Sequence, residues 1–160
     1  AAAPRGRGTI LFVDDEPMIT SLGGEMLRSL GYRVVEASHP ALALERFLAA
    51  PDDFDALVTD QTMPGMTGRE LARELLSLRP ELPVLLTTGF SAGTLAPSLH
   101  EAGIHGLLRK PYGRSELGAM LKDAIAANRE ASPTRPPKRA APKARKRRRN
   151  AAPRVTNTAS

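Results

Sequence analysis

Asp14-Asp15-Glu16, Asp60, Thr88 and Lys110 are the residues whose types and spacing could do chemistry together. Each sits just past a short apolar run: ILFV before Asp14, ALVT before Asp60, VLLT before Thr88 and GLLR before Lys110-Pro111. Such runs read as fully buried strands of a parallel sheet, and these strands carry ligand sites outside their carboxyl ends. Three carboxylates, a hydroxyl and an ammonium then share one crevice. Like charges held together at low dielectric repel strongly and need a cation to persist as ions. The constellation therefore asks for a metal. Singly, each residue has a plainer reading: Asp60-Gln61-Thr62 opening a loop, Asp15 and Glu16 capping a helix, Thr88 buried and satisfied by backbone. Helix capping does not, however, explain a lysine and two further strand-end polar groups converging on the same place.

The elements that must position these groups alternate five times. Strand patterns at 9–13, 32–36, 56–59, 84–88 and 106–108 are interleaved with helix patterns at 17–30, 40–50, 68–78 and 115–128, and with a poor helix near 97–102. This alternation predicts an α/β fold, a parallel sheet with helices on both faces, and right-handed crossovers leave few topologies. Pro17 suits a first helical position, Thr67 to Glu70 fits a capping box, and Gly31 and Gly103 suit left-handed helix stops. Gly23-Gly24 lies inside the first helix, at a cost of ~1 kcal/mol each relative to Ala. That helix is expected to lean on packing of Ile19, Leu22, Met26, Leu27 and Leu30.

Composition sets the frame. A chain of 160 residues with 41% hydrophobic content builds one core of ordinary size. With no cysteine, disulfides, thiolate metal sites and thiol nucleophiles are excluded. No stretch approaches the apolar length of a membrane span, and the start lacks the apolar core of a signal peptide, so a cytoplasmic protein is expected. Residue 1 is Ala, which leaves open a piece of a longer protein. Charge divides sharply: residues 1–130 hold 13 basic and 17 acidic residues, a net charge of −4, whereas 131–160 holds 10 basic residues, no acids and repeated prolines. Low hydrophobicity with high net charge predicts disorder. The expected organisation is a flexible segment at 1–7, a folded domain at 8–129 and a disordered basic tail at 130–160.

The set FVDDEP, VTDQTMPGMTG, LLTTGF and LRKPY resembles the receiver domain of two-component response regulators, over about residues 8 to 129. The wording of MPGMTG and LLTTG is similar to receivers of hybrid sensor histidine kinases. The resemblance implies a doubly wound, flavodoxin-like three-layer sandwich whose five parallel strands run in the order 2-1-3-4-5. It implies a phosphoacceptor that supports its own phosphorylation and dephosphorylation, taking its phosphoryl group from a sensor histidine kinase or histidine phosphotransfer protein. By position, Asp60 would be the acceptor, Asp15 a direct Mg²⁺ ligand, Asp14 a ligand partly through water and the Thr62 backbone carbonyl a third protein ligand. Mg²⁺ wants oxygen donors in octahedral geometry and is usually held by one or two carboxylates plus phosphate oxygens, which agrees with these roles. Thr88 would donate its hydroxyl to a phosphoryl oxygen, and Lys110 would help neutralise the charge. The Lys110–Pro111 bond is expected to be cis.

Two positions depart from the family pattern. Where many receivers carry Tyr or Phe three residues before the strand-five lysine, this chain has Leu107, so an aromatic switch is not expected. Two residues beyond Thr88 stands Phe90, where many fast-cycling receivers carry a polar group, and its bulk should shield an acyl phosphate from water. His39, His100 and His105 lack metal-ligand spacing. The basic residues within 135–154 could neutralise several phosphates of a nucleic acid or another polyanion, and no aromatic beyond Tyr112 offers base stacking. Three functional classes follow: a phosphorelay receiver that could form a homodimer on phosphorylation, a nucleic-acid-binding regulator with the tail as output, and the receiver fragment of a hybrid histidine kinase.

Overall fold

The apolar runs become five short strands, each followed in the chain by the segment that carries it back to the amino end of the next. The computed structural model describes residues 6–89 and 99–131. In chain order the elements are β1 (Thr9–Val13), α1 (Pro17–Ser29), β2 (Arg33–Ala37), α2 (Pro40–Ala49), a 3₁₀ turn (Pro51–Asp53), β3 (Ala56–Asp60), α3 (Gly68–Leu78), β4 (Val84–Thr88), β5 (Gly106–Arg109) and α4 (Arg114–Ala131). The strands form one parallel sheet in the order β2-β1-β3-β4-β5, the order expected from the resemblance. Adjacent residues along each strand point to opposite faces, and the core divides accordingly. On one face Leu11, Val13, Leu57, Val84 and Leu86 meet Ala43 and Phe47 of α2 and Leu71, Ala72 and Leu75 of α3. On the other, Ile10, Phe12, Val58, Leu85 and Leu108 meet Leu27 of α1 and Leu117, Leu121 and Ala124 of α4. The result is a three-layer sandwich.

Helix ends follow from local chemistry. Pro17 opens α1. At its other end Gly31 (φ 101°) donates to Arg28 O and Tyr32 donates to Leu27 O, which is a Schellman closure. Because Tyr32 is spent on that closure, β2 starts at Arg33, one residue later than the pattern suggested. The same pair of bonds recurs at Gly103 (φ 79°), which donates to His100 O, while Ile104 donates to Leu99 O. Residues 97 and 98 of the expected poor helix lie outside the described residues, but its buried Leu99 and its stop at Gly103 are in place. The Thr67 capping box forms at α3 with both reciprocal bonds.

One expectation about packing is corrected. Leu22 is 51% exposed and does not hold α1 to the sheet. The helix instead lies close through Gly23, where a Cβ would collide with the Phe12 ring, so the glycine that weakens the isolated helix permits its docking. At the amino terminus, Gly6 donates to Leu30 O. Buried Arg79, which no sequence pattern marked, donates to the carbonyls of Pro51 and Phe54 and fixes the turn that leads into β3.

Candidate functional site

The carboxyl ends of β1, β3, β4 and β5 deliver their polar residues to one crevice. Asp14 follows β1 and is fully buried, Asp60 ends β3 at 6% exposed, and Asp15 is partly exposed beside them. Carboxylate oxygens of Asp14, Asp15 and Asp60 lie within 4.8 Å of one another, the only such acidic group among the described residues. Thr88 is the buried last residue of β4, and Lys110 enters directly after β5, its N–H donating to Thr88 O at 2.8 Å. The Lys110–Pro111 peptide is cis.

Lys110 Nζ is the cation of this cluster. It lies 2.8 Å from Asp14 Oδ2 and 3.3 Å from Asp60 Oδ1, which binds β5 to β1 and β3 through side chains 96 and 50 residues away in sequence. Asp14 Oδ1 accepts from Glu16 N at 3.0 Å, so both oxygens of this buried carboxylate are engaged. One ammonium against three carboxylates leaves the crevice negative. Burial pushes the Asp60 carboxyl above the ordinary aspartate range, Lys110 pulls it back, and Asp14 and Asp15 add repulsion, with a net upward shift. Burial would lower the Lys110 ammonium, but its hydrogen bond to Asp14 and the charge of Asp60 outweigh it and hold the group above the usual lysine value. Tyr112, packed into the α1 and α4 side of the core, has its phenol pushed up to about 12, chiefly by burial, and remains protonated.

The loops around the crevice are shaped for close approach. Gly68, the first residue of α3, lies so near the Asp60 carbonyl that a Cβ there would overlap it. Its N–H donates to Gln61 O at 3.0 Å, and Gln61 Oε1 accepts from Arg69 N at 3.0 Å, which ties the start of α3 to the residue after Asp60. Thr62 is exposed on that loop. Leu107 lies in β5 opposite Leu86 and is partly buried against the α2 and α3 side of the core. Phe90 and residues 135–154 lie outside the described residues.

Some contributions carried no sequence signal. Thr20 donates its hydroxyl to backbone beneath the acidic loop, although a threonine inside a helix reads as unremarkable in sequence. His39 Nδ1 accepts from Leu42 N as the cap of α2, and His105 Nδ1 accepts from Val84 N at the start of β4. Burial, with the nearby His100, lowers the His105 pKa, which favours this neutral acceptor. A cavity of about 460 Å³ lined by Glu81, His100, His105 and Asn128 sits at the amino ends of the strands, away from the crevice.

The three carboxylates offer only oxygen donors, a set suited to a hard divalent cation and unsuited to thiophilic metals. Among the described residues no helix is long and apolar enough to cross a membrane.

Comparison with known proteins agrees with this architecture. The chain is 32% identical over 120 residues to Sensor kinase CckA of Brucella abortus (strain 2308), covering 75% of this chain and 13% of that protein. It is 34% identical over 128 residues to Transcriptional regulatory protein ZraR of Salmonella typhimurium, covering 79% of this chain and 28% of that protein. The chain thus spans less than a third of the length of these curated relatives. Among solved structures, a response regulator receiver domain protein from Clostridium thermocellum superposes with a TM-score of 0.73 at 27% identity, covering 78% of this chain and 98% of that one. The profile of the response regulator receiver domain matches residues 10–122. That match runs from the second residue of β1 into α4, and the chain belongs to the family of response regulator receiver domains.

Proposed function

We propose that Asp60 is the phosphoacceptor of a two-component phosphorelay, receiving its phosphoryl group from the phosphorylated histidine of a sensor histidine kinase or a histidine phosphotransfer protein. The observation that carries this reading is the Lys110 ammonium bridging Asp14 and Asp60 inside a cluster that also gathers Asp15. Asp60 is buried at a strand end and its pKa is raised, so its charged form is poorly solvated and suited to attack phosphorus. One Asp60 oxygen forms the new P–O bond as the P–N bond to the donor imidazole breaks, and that bonding pair leaves with the imidazole nitrogen. The Lys110 ammonium, with its pKa held high, stays protonated and stabilises the oxygens of the transferring group. The Thr88 hydroxyl, at the end of the adjacent strand, donates to a phosphoryl oxygen once Asp60 is modified.

Asp14, Asp15, Asp60 and the Thr62 backbone carbonyl would hold Mg²⁺. When bound, the ion supplies positive charge that neutralises the phosphoryl oxygens. Asp15, the most exposed of the three carboxylates, is suited to direct ligation, whereas Asp14 already gives one oxygen to Glu16 N and the other to Lys110 and suits contact through water. A cytoplasmic setting belongs to this reading, and the net positive tail supplies a contact for polyanions through residues 135–154.

Incubation with acetyl phosphate and Mg²⁺, read by intact mass, tests the acceptor. The wild-type chain gains one phosphoryl group, and Asp60→Asn, which keeps the fold because it is nearly isosteric, gains none. Labelling of Asp60→Asn at the wild-type rate would remove Asp60 from this role.

A further inference from the structure

We infer that Thr20 is a positioning residue for the acidic loop, its hydroxyl sharing one proton between the carbonyls on either side of Asp15 and so fixing where that carboxylate stands. The inference rests on the reading of Asp14, Asp15 and Asp60 as a Mg²⁺ site. Thr20 lies in the first turns of α1 and is 6% exposed. Its Oγ1 is 3.0 Å from the carbonyl oxygen of Asp14 and 3.0 Å from that of Glu16. These carbonyls flank Asp15 in the chain.

The two acceptors are not equivalent. Glu16 O already receives the Thr20 N–H at 3.0 Å as the first helical bond. Asp14 O lies past the last paired residue of β1, Val13, and the Thr20 hydroxyl is the donor that reaches it in a buried setting. A buried carbonyl deprived of its donor drives the backbone to rearrange. Any such rearrangement passes to Asp15. The Asp14 side chain is held independently by Glu16 N and Lys110, but no hydrogen bond holds the Asp15 carboxylate among the described residues. Its placement depends on the backbone alone. A hydroxyl one helical turn away therefore acts on the cation through Asp15 without touching it, as supporting groups commonly do at metal sites.

The test compares the full chain with Thr20→Val, which keeps the shape and removes the hydroxyl, and Thr20→Ser, which keeps the hydroxyl. Mg²⁺ binding is measured by calorimetric titration, and melting temperature in EDTA is recorded alongside. Thr20→Val should raise the Mg²⁺ Kd about tenfold, the scale expected for loss of a ligand-supporting group. Thr20→Ser should return the Kd close to wild type. A role confined to helix stability would lower the melting temperature of Thr20→Val and leave its Kd unchanged, and that result overturns the inference, as does a Thr20→Ser that binds as weakly as Thr20→Val. Wild-type protein that takes up no Mg²⁺, or Asp15→Ala that binds it unchanged, would overturn the Mg²⁺ reading itself.

Discussion

At the scale of single residues, the crevice is an unbalanced charge cluster, and Asp60 bears the imbalance. Its pKa lies above the ordinary value because burial and two neighbouring carboxylates outweigh Lys110. A carboxyl whose folded pKa exceeds its unfolded one favours folding most when protonated. That contribution is full below the unfolded pKa and is lost as pH rises through the folded value. At neutral pH in EDTA the ionised Asp60 is therefore destabilising, and Asp60→Asn should melt a few degrees above wild type, with ~1 kcal/mol corresponding to about 4 °C in a domain of this size. The difference should shrink as pH falls below the ordinary aspartate range. A variant that melts lower than wild type at neutral pH, or a gap that widens in acid, would contradict this account of the cluster. The members of the cluster were legible in sequence because each strand-end polar group interrupts an apolar run. The Thr20 hydroxyl and the caps of His39 and His105 were not, because a single polar side chain bonding backbone leaves no periodic trace.

At the scale of elements, the caps and stops built from the usual residue types were readable, the His39 cap apart, and contacts between elements were not. Pro17, the Thr67–Glu70 box, Gly31 and Gly103 act through neighbours in the chain, so their chemistry is written locally. The first helix shows the opposite case. Helix propensity alone says that Ala should improve Gly23 and Gly24 by ~1 kcal/mol each. The packing separates the two. A Cβ at Gly23 meets the ring of Phe12, which is 1% exposed and has nowhere to go, whereas one at Gly24 meets the end of the Glu36 side chain, which can swing aside. Gly23→Ala should therefore destabilise by about 1–3 kcal/mol, the usual cost of overpacking, while Gly24→Ala should be neutral or stabilising. Urea denaturation of both variants checks the pair, and a stabilised Gly23→Ala would mean that α1 stands further from the sheet than described.

At the scale of the whole molecule, alternation of strand and helix patterns gave the parallel sheet and its two helical layers, whereas the order 2-1-3-4-5 rested on the family resemblance. Periodicity reports which residues are buried, and strand order depends on which helices cover which face, a property of pairs of elements distant in sequence. Here Leu11 and Val13 face α2 and α3 while Ile10 and Phe12 face α1 and α4, so a single strand serves two cores. Strand order reverses at β1, with β2 laid on one side of it and β3 on the other, and this switch creates the crevice into which Asp14, Asp15 and Asp60 project, while β5 brings Lys110 across to close it. Site and topology are thus one fact. The charge division agrees: the described body holds every acidic residue, and the basic excess lies beyond it.

The most direct test of the central claim is the location of the acyl phosphate after exposure of the full chain to a phosphohistidine donor with Mg²⁺, read by trapping and peptide mass spectrometry. A single modified site at Asp60, lost when Mg²⁺ is chelated, is the predicted result. Modification at Asp14, Asp15 or Glu16, or a yield at Asp60 that ignores both Mg²⁺ and replacement of Lys110 by Ala, would contradict it.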